Sequence, residues 1–157
     1  MDNADEDSLN VLIVEDEVLL AMELSHLIEE AGCRDVGHAM SSDDALDMAA
    51  RLKPDLALVD VHLQDGPTGI EVARHISIDR GVVALFMTAN VRRLPDDFAG
   101  ACGVIGKPYS EHGVRSALRF LDHCIRDGHA PGLPPAGLQL APAWAAHWGL
   151  NDLPRTA

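Results

Sequence analysis

The stretch PDLALVDVHL, Pro54 to Leu63, decides how the rest of the sequence is read. Leu56 to Val59 form a short apolar run, with Pro54 before it and polar residues close behind. That pattern predicts a strand buried on both faces, as in the middle of a parallel sheet. Asp60 arrives where the strand runs out. A carboxylate there is either a solvated strand terminus or a group held out for chemistry, and its neighbours in space must decide.

Working outward, strand and helix patterns take turns along the chain. LNVLIVED, Leu9 to Asp16, is another continuous apolar run ending in acids, and EVLLAMELSHLIEEAGC after it carries apolar residues at helical spacing, with Gly32 near the helix end. DVGHAM, Asp35 to Met40, predicts a short, weak strand. SSDDALDMAARLK then reads as a helix with Ser and Asp at its N-cap and Pro54 closing it. After Asp60 come the turn QDGPTG and the helical pattern IEVARHISID, then VVALFMT with the polar, less regular ANVRRLPDDFAG, then CGVIGK and the amphipathic SEHGVRSALRFLDHCIRD. Five βα units in succession predict an α/β domain: a doubly wound five-stranded parallel sheet with helices on both faces, in three layers α/β/α.

A chain of 157 residues holds one such domain and an extension. Residues 1–8 read as an acidic N-terminal tail, 9–127 as the domain, and 128–157 as a Pro/Gly/Ala-rich C-terminal tail, either flexible or anchored through Trp144 and Trp148. A net charge of -13, with only 12 Lys and Arg, offers no basic footprint for nucleic acid or an anionic membrane. The start of the chain is acidic where a secretory signal is basic, and no apolar run reaches the length of a membrane span. A cytoplasmic protein with no nucleic-acid and no membrane partner is therefore expected. Cys33, Cys102 and Cys124 form no CxxC pair and predict reduced thiols packed as small apolar side chains.

The strand ends carry the chemistry. In open α/β sheets the ligand site lies beyond the carboxyl ends of the strands. Those ends bring Glu15 and Asp16, Asp60, Thr88 and Lys107 into one expected pocket. Three acids crowded together repel one another and call for a hard divalent cation with oxygen ligands, of which Mg²⁺ is the intracellular candidate. Lys107 and the Thr88 hydroxyl would face anionic oxygens. A carboxylate between a metal and such a pair is equipped to attack phosphorus and to stabilise charge on a transferred phosphoryl group. Read singly, Glu15 and Asp16 are compatible with solvated acids at a helix start, Thr88 with a turn cap, and Lys107 with an ordinary loop lysine. The eight His residues show no common ligand spacing and default to surface or packing roles, His62 beside the site excepted.

VLIVEDE, DLALVDVHL, FMTAN and GVIGKPYS, in this order at strand ends, resemble the motifs of a receiver domain of the two-component response regulator family, of the stand-alone, single-domain type. The resemblance spans Leu9 to Asp127 and implies a flavodoxin/CheY-like (βα)5 fold. It implies that Asp60 is the phosphoacceptor, that Glu15, Asp16, Asp60 and the backbone carbonyl of His62 hold Mg²⁺, and that Thr88 and Lys107 contact the phosphoryl group. It makes Lys107-Pro108 a candidate cis peptide bond. The implied partners are a sensor histidine kinase or histidine phosphotransfer protein and a downstream protein target, with a homodimer possible. The implied protein is a phosphoacceptor with slow self-dephosphorylation rather than a turnover enzyme. Two departures stand out. The loop after Leu63 is longer than in many members, and Val104 occupies the position of the family's frequent switch aromatic, for which Tyr109 and Phe86 are poor replacements by position. The alternatives are a degenerate receiver that binds partners without phosphorylation, and a phosphohydrolase with an Asp60 nucleophile. The second lacks an acid two positions on, where His62 stands.

Overall fold

The structure is a computed structural model describing residues 7–150; the expected acidic tail lies outside it except for Asp7 and Ser8, as do residues 151–157. The chain runs β1 (Asn10–Val14), α1 (Val18–Glu30), β2 (Arg34–Ala39), α2 (Ser42–Leu52), β3 (Leu56–Asp60), α3 (Gly69–Arg80), β4 (Val83–Thr88), β5 (Gly103–Gly106), α4 (Glu111–Asp127), β6 (Leu138–Leu140) and α5 (Pro142–His147). Leu56 to Asp60 form the buried central strand that the opening stretch predicts.

Each central strand alternates its side chains between two cores. Val11, Ile13, Leu56, Leu58, Leu85, Met87 and Ile105 pack with α1 and α4. Leu12, Val14, Ala57, Val59, Ala84, Phe86 and Val104 pack with α2 and α3. The period of two thus feeds both faces of the sheet, which is why these strands are apolar throughout. The five expected strands are parallel, in the order β2-β1-β3-β4-β5. The order reverses between β1 and β3, the switch point at which ligands sit in sheets of this topology. No helix among the described residues is long and apolar enough to cross a membrane.

Two features depart from five βα units. The connection from β4 to β5 contains no α-helix; it holds two 3₁₀ turns, Val91–Arg93 and Phe98–Gly100. Pro95 lies between them without an N–H to donate, and Phe98 and Ala99 both take positive φ, so a helical ladder cannot run through. The second departure is a sixth strand. β6 pairs antiparallel with β5, Gly103 opposite Leu140 and Ile105 opposite Leu138.

Residues 128–150 of the segment expected as a tail thus include a strand of the sheet, Leu138–Leu140, and a short helix, Pro142–His147. Trp148 is 3% exposed, Leu138 and Leu140 are buried in the same core as α1 and α4, and the Trp144 indole N–H donates to the Gly100 carbonyl at 3.0 Å. Each of the three large buried side chains contributes about 1.5–3 kcal/mol. A close backbone approach makes this docking possible: a Cβ on Gly103 would stand 2.3 Å from the Gln139 carbonyl oxygen. Gly103→Ala is therefore expected to lift β6 from β5 at a cost of about 1–3 kcal/mol. Trp144 and Trp148, the chain's two tryptophans, report the change: fluorescence emission moves to longer wavelength and the melting temperature falls.

Candidate functional site

Glu15 leaves β1 where its main chain is fixed twice. Its amide donates to the Ala39 carbonyl at 2.9 Å, and its own carbonyl accepts from His38 Nε2 at 2.6 Å. His38, half-buried at the end of edge strand β2, thus braces the acidic turn, a role that spacing among the histidines does not reveal. The usable signal is positional: β1 and β2 run parallel and pair Ile13 with His38, so His38 comes out beside the residues following Val14.

The adjacent strand β3 presents Asp60 next to this turn, since β1 and β3 pair Val14 with Val59. One carboxylate oxygen of Asp60 accepts from the His62 amide at 3.2 Å, and the other accepts from Lys107 Nζ at 3.2 Å. Lys107 Nζ also donates to Glu15 at 3.3 Å, while the second Glu15 oxygen accepts from the Glu17 amide at 3.2 Å. One ammonium therefore serves two buried carboxylates. Lys107 is held there through its amide, which donates to the Thr88 carbonyl at 2.8 Å, and the Lys107-Pro108 bond is cis. Asp16 is half-exposed beside them. Glu15, Asp16 and Asp60 each offer an oxygen, all within 4.8 Å of one another. Thr88 is buried at the end of β4, and its hydroxyl oxygen accepts from the Asn90 amide at 3.1 Å. The side chain of His62 is exposed.

The electrostatics follow from the crowding. Burial, and after it the Asp60 charge, push the Glu15 carboxyl from its ordinary 4.5 up to about 7, with Lys107 acting the other way. Burial opposes the Lys107 charge, but the two acids outweigh it and raise the ammonium above its usual value. Three carboxylates with one shared cation form a donor set short of positive charge, which fits a hard divalent ion. Tyr109, two residues after Lys107, has a buried hydroxyl with no hydrogen-bond partner and is pushed up to about 12, chiefly by burial.

A pH dependence follows with a definite sign. Between about pH 4.5 and 7 the folded, metal-free protein keeps the Glu15 proton that the unfolded chain has released. Stability from this group is full below 4.5 and declines as pH rises toward 7. Chemical unfolding at pH 5 and pH 8 is expected to show a loss of about 2 kcal/mol relative to Glu15→Gln, in which this titration is absent.

The family model for the response regulator receiver domain matches residues 11–119. The phyllosphere-induced regulator PhyR of Methylorubrum extorquens is 32% identical over 110 residues, 69% of this chain and 41% of that protein. The transcriptional regulatory protein PdtaR of Mycobacterium tuberculosis is 36% identical over 115 residues, 70% of this chain and 55% of that protein. The chain thus spans about half the length of these curated relatives. The solution structure of the PhyR response regulator REC domain from Erythrobacter litoralis superposes with a TM-score of 0.65 at 30% identity, over 82% of this chain and 97% of that one.

Proposed function

The chain belongs to the response regulator receiver family, and on that premise we propose that Asp60 is its phosphoacceptor, charged in the presence of Mg²⁺ by a sensor histidine kinase or a histidine phosphotransfer protein. The observation that carries this reading is the convergence of Glu15, Asp16 and Asp60 at the β1/β3 switch point, with Lys107 bridging two of them. Glu15, Asp16, Asp60 and the His62 carbonyl would hold the ion. Bound there, it would screen the carboxylates and neutralise charge on the phosphoryl oxygens.

In the transfer, an Asp60 carboxylate oxygen attacks phosphorus, the P–N bond of the phosphohistidine breaks, and the imidazole leaves with the electron pair. The product is a mixed anhydride on Asp60. Lys107 releases its contact with the acids to meet a phosphoryl oxygen, and the Thr88 hydroxyl, already accepting from Asn90 N–H, donates its own proton to another. That contact pulls on β4 and the turn after it, and changes the surface offered to a downstream protein partner. Water attacking the same phosphorus returns free phosphate and the Asp60 carboxylate. This is slow self-dephosphorylation, with no released substrate to turn over.

Incubation with acetyl phosphate and Mg²⁺ tests the reading. An acid-stable, hydroxylamine-labile mass increase that disappears in Asp60→Asn supports it. Release of phosphate at high turnover would point to the hydrolase. One observation favours a second reading, a receiver that binds partners without phosphorylation. Val104, at the position of the switch aromatic, is 1% exposed and packed in the core facing α2 and α3. Mg²⁺ binding without an adduct would select that reading.

A further inference from the structure

The connection from β3 to α3 runs from Val61 to Thr68, and it is fastened at several points. Leu63 and Gly66 exchange amide-to-carbonyl hydrogen bonds at 2.8 and 3.0 Å, closing a tight loop, and the Gln64 amide donates to the Met40 carbonyl at 3.3 Å. At its tip the Asp65 carboxylate collects donors from two helix starts. It accepts from the Ser42 hydroxyl, from the Ser42 amide at 3.3 Å and from the Thr68 hydroxyl at 2.7 Å. Ser42 opens α2 and Thr68 is the residue before α3. The hydroxyls of Ser42 and Thr68 hold the Asp65 carboxyl below the usual carboxylate range.

Both helix starts lead to the acids. On one side, β2 ends at Ala39, and the carbonyls of Ala39 and of Met40 after it accept from the amides of Glu15 and Gln64. On the other, Thr68 precedes Gly69, whose amide donates to the Val61 carbonyl at 3.0 Å. Gly69 lies so close to β3 that a Cβ on it would stand 2.0 Å from the Asp60 carbonyl oxygen. The Asp65 carboxylate therefore joins the half of the site carrying Glu15 and Asp16 to the half carrying Asp60 and His62. We propose that Asp65 is a positioning residue for the divalent cation, a clasp from the β3–α3 loop to α2 that fixes the spacing between the two halves of the acidic cluster. A carboxylate suits the task because its two oxygens can accept several donors at once, and negative charge is favoured at a helix N-terminus. The inference rests on the reading that this cluster binds Mg²⁺.

Calorimetric titration of Mg²⁺ into the full chain tests it. Asp65→Ala is expected to bind Mg²⁺ about threefold more weakly, less than the roughly tenfold or more that direct partners of metal ligands give, because Asp65 reaches the ligands only through the backbone beyond Ser42 and Thr68. Asp65→Asn, keeping one acceptor oxygen, recovers part of the loss. Ser42→Ala and Thr68→Val remove donors while leaving the charge of Asp65 in place, and each is expected to weaken binding by a smaller factor. They also carry the test if Asp65→Ala fails to fold. A purely structural role would lower the melting temperature without changing Mg²⁺ affinity in any of the four variants, and that result overturns the clasp. If the wild-type protein shows no Mg²⁺ binding that Asp60→Asn diminishes, the metal reading itself fails and takes the clasp with it. The two failures are told apart by the wild-type titration alone.

Discussion

Lys107→Ala is expected to destabilise the metal-free protein by about 3 kcal/mol at pH 8 and to slow phosphorylation of Asp60 by about a hundredfold. The stability loss comes from what remains behind. Lys107 Nζ lies 3.3 Å from Glu15 and 3.2 Å from Asp60, and both carboxylates are buried. Without the ammonium they face each other uncompensated. Protonation of Glu15 relieves the repulsion, and its carboxyl already stands at about 7 with Lys107 in place. The same substitution should therefore cost much less at pH 5. Lys107→Met separates lost charge from lost packing, because it keeps most of the apolar stem. Saturating Mg²⁺ is expected to restore most of the stability but not the rate, since under the proposed phosphotransfer the cation would balance the acids while the ammonium's contact with the phosphoryl group would stay lost. Equal destabilisation at pH 5 and pH 8 in chemical unfolding would contradict this charge account.

The second large effect is steric. Gly69→Ala is expected to cost about 3 kcal/mol, because its Cβ would meet the Asp60 carbonyl oxygen at 2.0 Å and the Val61 Cα at 2.7 Å. Both are backbone atoms of the residues at the end of β3, so nothing can swing aside. Either α3 moves out or Asp60 moves. Gly66→Ala is the informative comparison. Gly66 has φ +110 and nothing within 4 Å of an added Cβ, so its cost is backbone strain of about 1–2 kcal/mol. Urea unfolding ranks the two, and only Gly69→Ala should also weaken Mg²⁺ binding.

These effects are concentrated where the chain was most readable. Glu15, Asp16, Asp60, Thr88 and Lys107 could be assigned to one place because parallel strands must all finish at the same end of the sheet, and each strand is marked by its apolar run. The strands β1, β3 and β4 were equally plain as unbroken apolar runs, and the structure shows each feeding both cores. What escaped was encoded without a period. β6 is three residues of a Pro- and Gly-rich segment, and its pairing depends on Gly103, more than thirty residues earlier, having no side chain. The missing helix between β4 and β5 follows from Pro95 and from positive φ at Phe98 and Ala99, and of these only the proline is visible as a residue type. His38 and Asp65 each act on a partner 23 residues away, Glu15 and Ser42, although Asp65 also meets Thr68 nearby. Local spacing cannot show such pairs; only the register of β1 with β2 and the facing of α2 and α3 bring them together.

If the phosphoryl group is carried by one carboxylate, Asp60, reductive trapping reads it directly. Borohydride reduces an aspartyl phosphate to homoserine, so protein treated with acetyl phosphate and Mg²⁺, reduced and digested should carry that change in one peptide. Homoserine at position 60, absent when Mg²⁺ is removed and absent from Asp60→Asn, is the expected result. Homoserine at another acid, or none in protein that binds Mg²⁺ normally, would contradict the assignment of Asp60 as phosphoacceptor.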